Sequence, residues 1–238
     1  MTTRFPVWLP FLVVLASCAS LPPANEDHTI PAAPVPADGL GWHAVPLPGK
    51  EATRYSWTRK DGRAALAAVS EASASMYRQH VQRAPDALGD VSFSWWVQDL
   101  VVGGSVADAS REDAPARVMF AFGGDTARLP MRTRALFELA EALTGEKPPY
   151  ATLMYVWDAQ APVGSVIVNP RSDRIRKIVV DSGPGELRRW REHRRNLTAD
   201  FRLAFGEEPG DLKSIAVMTD SDNTRSRAAS WYGSVDLH

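Results

Sequence analysis

The chain reads as mainly β, an antiparallel β-sandwich of jelly-roll type with two helical inserts, and three observations predict it. Short apolar or alternating runs of strand length recur along the chain, bounded by turn-forming residues. Val91 to Gln98 splits by parity into Val91, Phe93, Trp95, Val97 and Ser92, Ser94, Trp96, Gln98, the pattern of a strand with one buried and one solvated face. Helical spacing is confined to two stretches and does not alternate regularly with strands, which argues against a βαβ arrangement.

In order, Arg54 to Thr58 and Arg63 to Ser70 form a hairpin, since Asp61 and Gly62 supply the positive backbone φ of a tight turn. Ala72 to Arg78 and the Val91 strand follow, then a Gly-rich acidic segment from Val102 to Asp113. Val118 to Phe122 is apolar at every position, which predicts a strand covered on both sides. Met131 to Leu143 places Leu136, Leu139, Ala140 and Leu143 on one helical face. Thr152 to Trp157 and Arg174 to Val180 are strands. Gly185 to Phe205 spaces Leu187, Trp190, Leu197, Phe201 and Ala204 as a second helix stopped by Gly206, with Arg188, Arg189, Arg191, Arg194, Arg195 and Arg202 on its outer face. Leu212 to Thr219 and Ala228 to Leu237 complete about nine strands.

Ahead of this domain, residues 1–17 carry one cation, Arg4, and an apolar run from Phe5 to Ala16, the composition of a secretory signal peptide. The run ends in Leu15, Ala16, Ser17, Cys18, which resembles the bacterial lipobox. Cys18, the only cysteine of the chain, would be diacylated and become the first mature residue. Ala19 in place of Asp resembles outer-membrane sorting in Gram-negative bacteria. Residues 18–48 are rich in Pro and Ala and read as a tether holding a single β domain, residues 49–238, off the membrane.

The charge excludes one class of partner. With 27 basic against 28 acidic residues, and Arg4 lost on cleavage, the chain has no basic excess and no nucleic-acid partner is expected. A single cysteine rules out a disulfide framework, so packing must hold the domain together.

Chemistry-bearing motifs are few. The chain holds no Gly-x-Ser-x-Gly elbow, no His-Glu-x-x-His zinc helix and no phosphate-cradling loop. Asp220, Asp222, Asn223 and Thr224 alternate oxygens as a Ca²⁺ loop does, but an EF-hand would need glycine at Arg225 and glutamate at Trp231. A looser Ca²⁺ site or a plain Asx-rich hairpin loop is left, and no other cofactor is expected. Asp113 and Arg117 form a candidate ion pair at the entrance of a strand. Asp113 with Asp220 or Asp222 is the carboxylate pair from which a glycan hydrolase could be built, if the two stood about 5 to 9.5 Å apart. In the last strand, parity sends Trp231, Gly233, Val235 and Leu237 inward and Ser230, Tyr232, Ser234 and Asp236 outward. Trp96 and Tyr232 thus share the property of standing on polar faces, where flat rings suit the apolar face of a sugar.

The landmarks Phe93-Ser-Trp-Trp96, Asp113 to Val118, Tyr155-Val-Trp157, Phe205 to Pro209, Met218 to Thr224 and Tyr232-Gly233 resemble a bacterial envelope family known as domain of unknown function number three thousand and forty-seven. That resemblance implies no activity. The expected function is a lipid-anchored, non-catalytic domain facing the periplasm that binds a polysaccharide or other envelope component through Trp96, Tyr232, Asp113, Arg117, Asp220, Asp222 and Asn223. The alternatives are a glycan hydrolase or a scaffold docking a protein through the Arg-rich helix.

Overall fold

The computed structural model describes residues 41–238, so Cys18, the signal segment and the tether to residue 40 lie outside the described residues. Among the described residues twelve strands form two sheets packed face to face, with two α-helices. The strands are β1 (Trp42–Pro46), β2 (Arg54–Lys60), β3 (Arg63–Glu71), β4 (Ser75–Arg83), β5 (Asp90–Val97), β6 (Arg117–Phe122), β7 (Ala151–Asp158), β8 (Val166–Asn169), β9 (Ser172–Ser182), β10 (Trp190–Asn196), β11 (Leu212–Met218) and β12 (Arg227–Leu237). The helices are α1 (Met131–Thr144) and α2 (Leu197–Phe205). One sheet runs β1-β4-β11-β6-β7-β9-β8 and the other β10-β5-β12-β3-β2. All pairings are antiparallel except β7 with β9. The chain passes repeatedly from one layer to the other, as in a jelly-roll sandwich.

The core lies between the layers. Val91, Phe93, Trp95 and Val97 of β5 meet Val118, Phe120 and Phe122 of β6, Leu153, Tyr155 and Trp157 of β7, and Ile215 and Val217 of β11. Phe93 stacks on Tyr155 at 5.3 Å between ring centroids, which ties the two sheets together at their centre.

Four expectations are corrected. Residues 42–46, read as the end of the tether, form edge strand β1 on β4, because Trp42 and Val45 find apolar neighbours there. The predicted second helix is a strand followed by a short helix: β10 pairs with β5, and α2 starts only at Leu197, where the Asn196 side chain accepts from Ala199 N at 2.9 Å. The arginine-rich face is therefore an edge strand. Alternate residues Arg191, His193 and Arg195 turn inward and bond Asp181 or Asp200, so no basic helix exists to dock a protein.

Third, β5 has no solvated face at its tryptophans. The tip of the β2–β3 hairpin covers the outer side: Lys60 Nζ lies 3.5 Å from the Trp96 ring centroid and 4.4 Å from that of Trp231, and Trp190 Nε1 donates to the Lys60 carbonyl. Fourth, the parity of β12 switches midway. Tyr232 pairs with Trp95 but Val235 with Phe93, so one extra residue bulges at Gly233 and Ser234. Tyr232 and Val235 both face the core, and Trp231 faces out. At Gly233 a side chain would collide with Ser94 Oγ, so the bulge sits where only glycine fits.

Candidate functional site

Across the outer face of the seven-stranded sheet runs a groove of about 1430 Å³. Its floor follows from strand alternation. In β6 the large residues Val118, Phe120 and Phe122 go inward, leaving Met119 and Ala121 for the other face. In β7, Leu153, Tyr155 and Trp157 leave Thr152 and Met154, and in β11, Ile215 and Val217 leave Ser214, Ala216 and Met218. The register sets Met218 beside Met76 and Met119 beside Met154, so four thioethers share the centre of the floor. The strand expected to be covered on both sides is covered on one, and Met119 and Ala121 are only half buried.

One end of the groove is closed by the segment from residue 98 to 116, whose Val106 and Ala114 pack on Met154, Val156 and Val179. Here the buried charges collect. Arg117 donates from Nε to Asp220 Oδ1 at 3.0 Å and from Nη2 to Asp220 Oδ2 at 2.9 Å, and its Nη2 also reaches the Glu112 carbonyl at 2.8 Å. Glu112 is held in turn by Lys177 Nζ at 2.6 Å, Asn169 Nδ2 at 2.7 Å and Arg171 Nη1 at 2.9 Å. Burial pushes the Asp220 carboxyl up to about 6, against the pull of the Arg117 cation. Burial, with Arg117 close by, brings the Lys177 ammonium down to about 8, while Glu112 opposes the shift. Burial alone would lower Arg117 too, but Asp220 and Glu112 more than offset it and hold the guanidinium charged.

Asp113, Asp220 and Asp222 each place one oxygen within 4.8 Å of the others, a spacing that would suit a cation. Each carboxylate is already satisfied within the chain. Asp113 accepts from Asn223 N at 3.2 Å, Thr224 N at 2.7 Å and Thr224 Oγ1 at 2.6 Å; Asp220 accepts from Ala114 N and Arg117; Asp222 pairs with Lys50. Arg117 and Lys50 offset two of the three acids, while Asp113 is met only by neutral donors.

Of the residues singled out in the sequence, Asp113, Arg117, Asp220, Asp222 and Asn223 thus gather at the closed end of the groove, and the rings do not join them. Trp96 is 7% exposed on the outer side of the other sheet, and Tyr232 is 1% exposed inside the core. The Tyr232 hydroxyl donates to the Met218 carbonyl at 2.6 Å and accepts from Arg117 N at 3.3 Å, so it anchors the strand ends that carry the charge cluster. An aromatic platform of Trp96 and Tyr232 is ruled out, since the two point to opposite sides of one sheet. Glu112, Lys177, Asn169, Arg171 and the four methionines were not singled out. The legible signal was that outward positions in β6, β7 and β11, apart from Arg117, Asp158 and Lys213 toward the strand ends, are Ala, Ser, Thr, Val and Met.

At the open end stand Tyr150, covered by Arg174 at 4.1 Å, and the touching backbones of Gly123 and Gly210. Helix α1 borders the mouth through Ala140, Leu143 and Thr144. Only Thr133 of this helix is buried, and Leu136, Leu139 and Leu143 are 44%, 57% and 67% exposed. The face expected to pack into the core is turned to solvent beside the groove. Among the described residues no helix is long and apolar enough to cross a membrane.

The model of one protein family, described as a protein of unknown function (DUF3047), matches residues 40–236. No curated protein matches the chain. Solved structures similar to it include a family 11 carbohydrate-binding module of the cellulosomal cellulase Lic26A-Cel5E of Clostridium thermocellum, at 10% identity and TM-score 0.39, covering 83% of this chain and 87% of that one. Endoglucanase 3 of Trichoderma harzianum, from family GH12, is similar at 11% identity and TM-score 0.45, over 84% and 92%. The xyloglucanase domain of NopAA, a type three effector from Sinorhizobium fredii in complex with cellobiose, is similar at 8% identity and TM-score 0.45, over 83% and 94%. At such scores no ligand or activity transfers from these proteins.

Proposed function

The chain belongs to this uncharacterised family, and from that premise we propose that it is a non-catalytic envelope domain, anchored through an acylated Cys18 and facing the periplasm, that holds an envelope component in the groove. The observation that carries the reading is the groove itself, larger than the roughly 300 to 1,000 Å³ of most small-molecule sites and floored by adaptable side chains between polar ends. The hydrolase alternative finds less support, because both oxygens of Asp113 and of Asp220 are spent on internal hydrogen bonds, leaving neither carboxylate free to pass a proton.

Met119→Trp, which places an indole over the middle of the floor, is expected to weaken binding to immobilised envelope glycans or lipids at least tenfold, about 1.4 kcal/mol. Trp96→Ala should leave that binding unchanged, since Trp96 lies on the other sheet. Equal binding by Met119→Trp and the parent would refute the groove. The anchor has its own test: Cys18→Ala is expected to abolish acyl labelling and release the chain from the membrane fraction. Retention in the membrane without label would argue against lipidation.

A further inference from the structure

Resting on the groove as the binding site, we propose that its occupant is a diacyl membrane phospholipid whose hydrocarbon chains lie on the methionine floor, with the exposed leucines of α1 as the outer wall. Three features converge on this chemistry. Met76, Met119, Met154 and Met218 are unbranched and polarisable, which lets them mould to a flexible chain rather than to one rigid shape. A sugar would call for open aromatic rings, yet among the described residues Tyr150 is the only aromatic besides Phe122 and His80 lining the groove, and the Arg174 guanidinium already covers it. The apolar surface also does not stop at the floor. It continues through Ala140 and Leu143 onto the stripe of Leu136, Leu139 and Leu143, which is not covered by other described residues and is too exposed to be a packed helix face.

Charge and size refine the assignment. The acids and bases of the closed end neutralise one another, so the floor presents no net charge to a hydrocarbon chain. At the rim, exposed Lys147 presents a cation to a phosphate. The groove exceeds what a single narrow chain fills, which favours two chains over one.

The test uses the mature full-length chain carrying Cys18→Ser, so that no acyl group of its own competes. Incubated with vesicles of phosphatidylethanolamine and phosphatidylglycerol and then separated from them, it is expected to carry away phospholipid in a saturable, soluble complex. Leu139→Ser combined with Leu143→Ser alters only exposed positions and should lower the yield at least tenfold. The proposal is overturned if no lipid leaves with the protein, if the double serine variant extracts as much as the parent, or if palmitate saturates the site and the diacyl lipid does not. Adsorption to vesicles without extraction overturns it as well. Glycan binding that Met119→Trp abolishes, with no lipid bound, would sink the lipid and leave the groove standing. Lipid extraction undiminished by Met119→Trp would sink both.

Discussion

Arg117→Ala is expected to lower the free energy of unfolding by about 3 to 5 kcal/mol, measured by urea denaturation at neutral pH. Among the described residues the guanidinium is the only side-chain cation bonded to Asp220, and its removal leaves that carboxylate buried with the Ala114 N–H as its one remaining donor there. Glu112 would keep Lys177, Arg171 and Asn169, so the damage should centre on Asp220. The penalty is mainly that of an orphaned charge, and removing both charges should avoid most of it. Arg117→Met combined with Asp220→Asn is therefore expected to recover most of the lost stability. A single alanine variant within about 1 kcal/mol of the parent would mean that water reaches the cluster and that its burial is overstated.

The two neighbouring tryptophans of β5 should respond unequally. Trp95 is fully buried, stacks edge-on against Phe93 at 5.3 Å and donates from Nε1 to Asp181 at 2.7 Å. Trp95→Ala is expected to cost about 3 to 5 kcal/mol from the cavity alone, and it also removes a donor from a buried carboxylate. Trp96→Ala loses its edge contact with Trp231 at 5.0 Å and the Lys60 ammonium above its ring, but no hydrogen bond. Its cost should be nearer 2 kcal/mol. Denaturation curves for both variants decide the matter, and a larger loss at Trp96 would reverse the assignment of inside and outside along β5.

The sandwich was legible because its central strands obey simple alternation or are unbroken apolar runs, as in Val91 to Val97 and Val118 to Phe122. Three strands escaped notice for physical reasons. β1 and β8 are short edge strands with little apolar signal, and β10 carries arginine and histidine at inward positions where apolar residues would advertise a strand. Those inward charges are stable only because Asp181, on the preceding strand β9, and Asp200, on the following helix, come to meet them. The reading of Tyr232 failed by one residue, since a bulge shifts every later side chain to the opposite face and leaves no compositional mark beyond Gly233. Of the candidate site, the acidic loop and Arg117 do lie together, but the expected ion pair of Arg117 with Asp113 is replaced by pairs with Asp220 and Glu112, because Asp113 is taken up by Asn223 and Thr224. The groove was not legible, because a floor of methionine and alanine looks in one dimension like more core.

The position of β1 has a mechanical corollary. Its hydrogen bonds to β4 run from Trp42 opposite Gln79 to Pro46 opposite Ser75, and Val45 and Pro46 also line the groove. Any force arriving along the chain from the N-terminal side is therefore delivered first to a strand that is at once the margin of the cleft. Tension at that end would load the ladder between β1 and β4 before it reached the interior, so that pulling on residue 41 would tend to prise open the container.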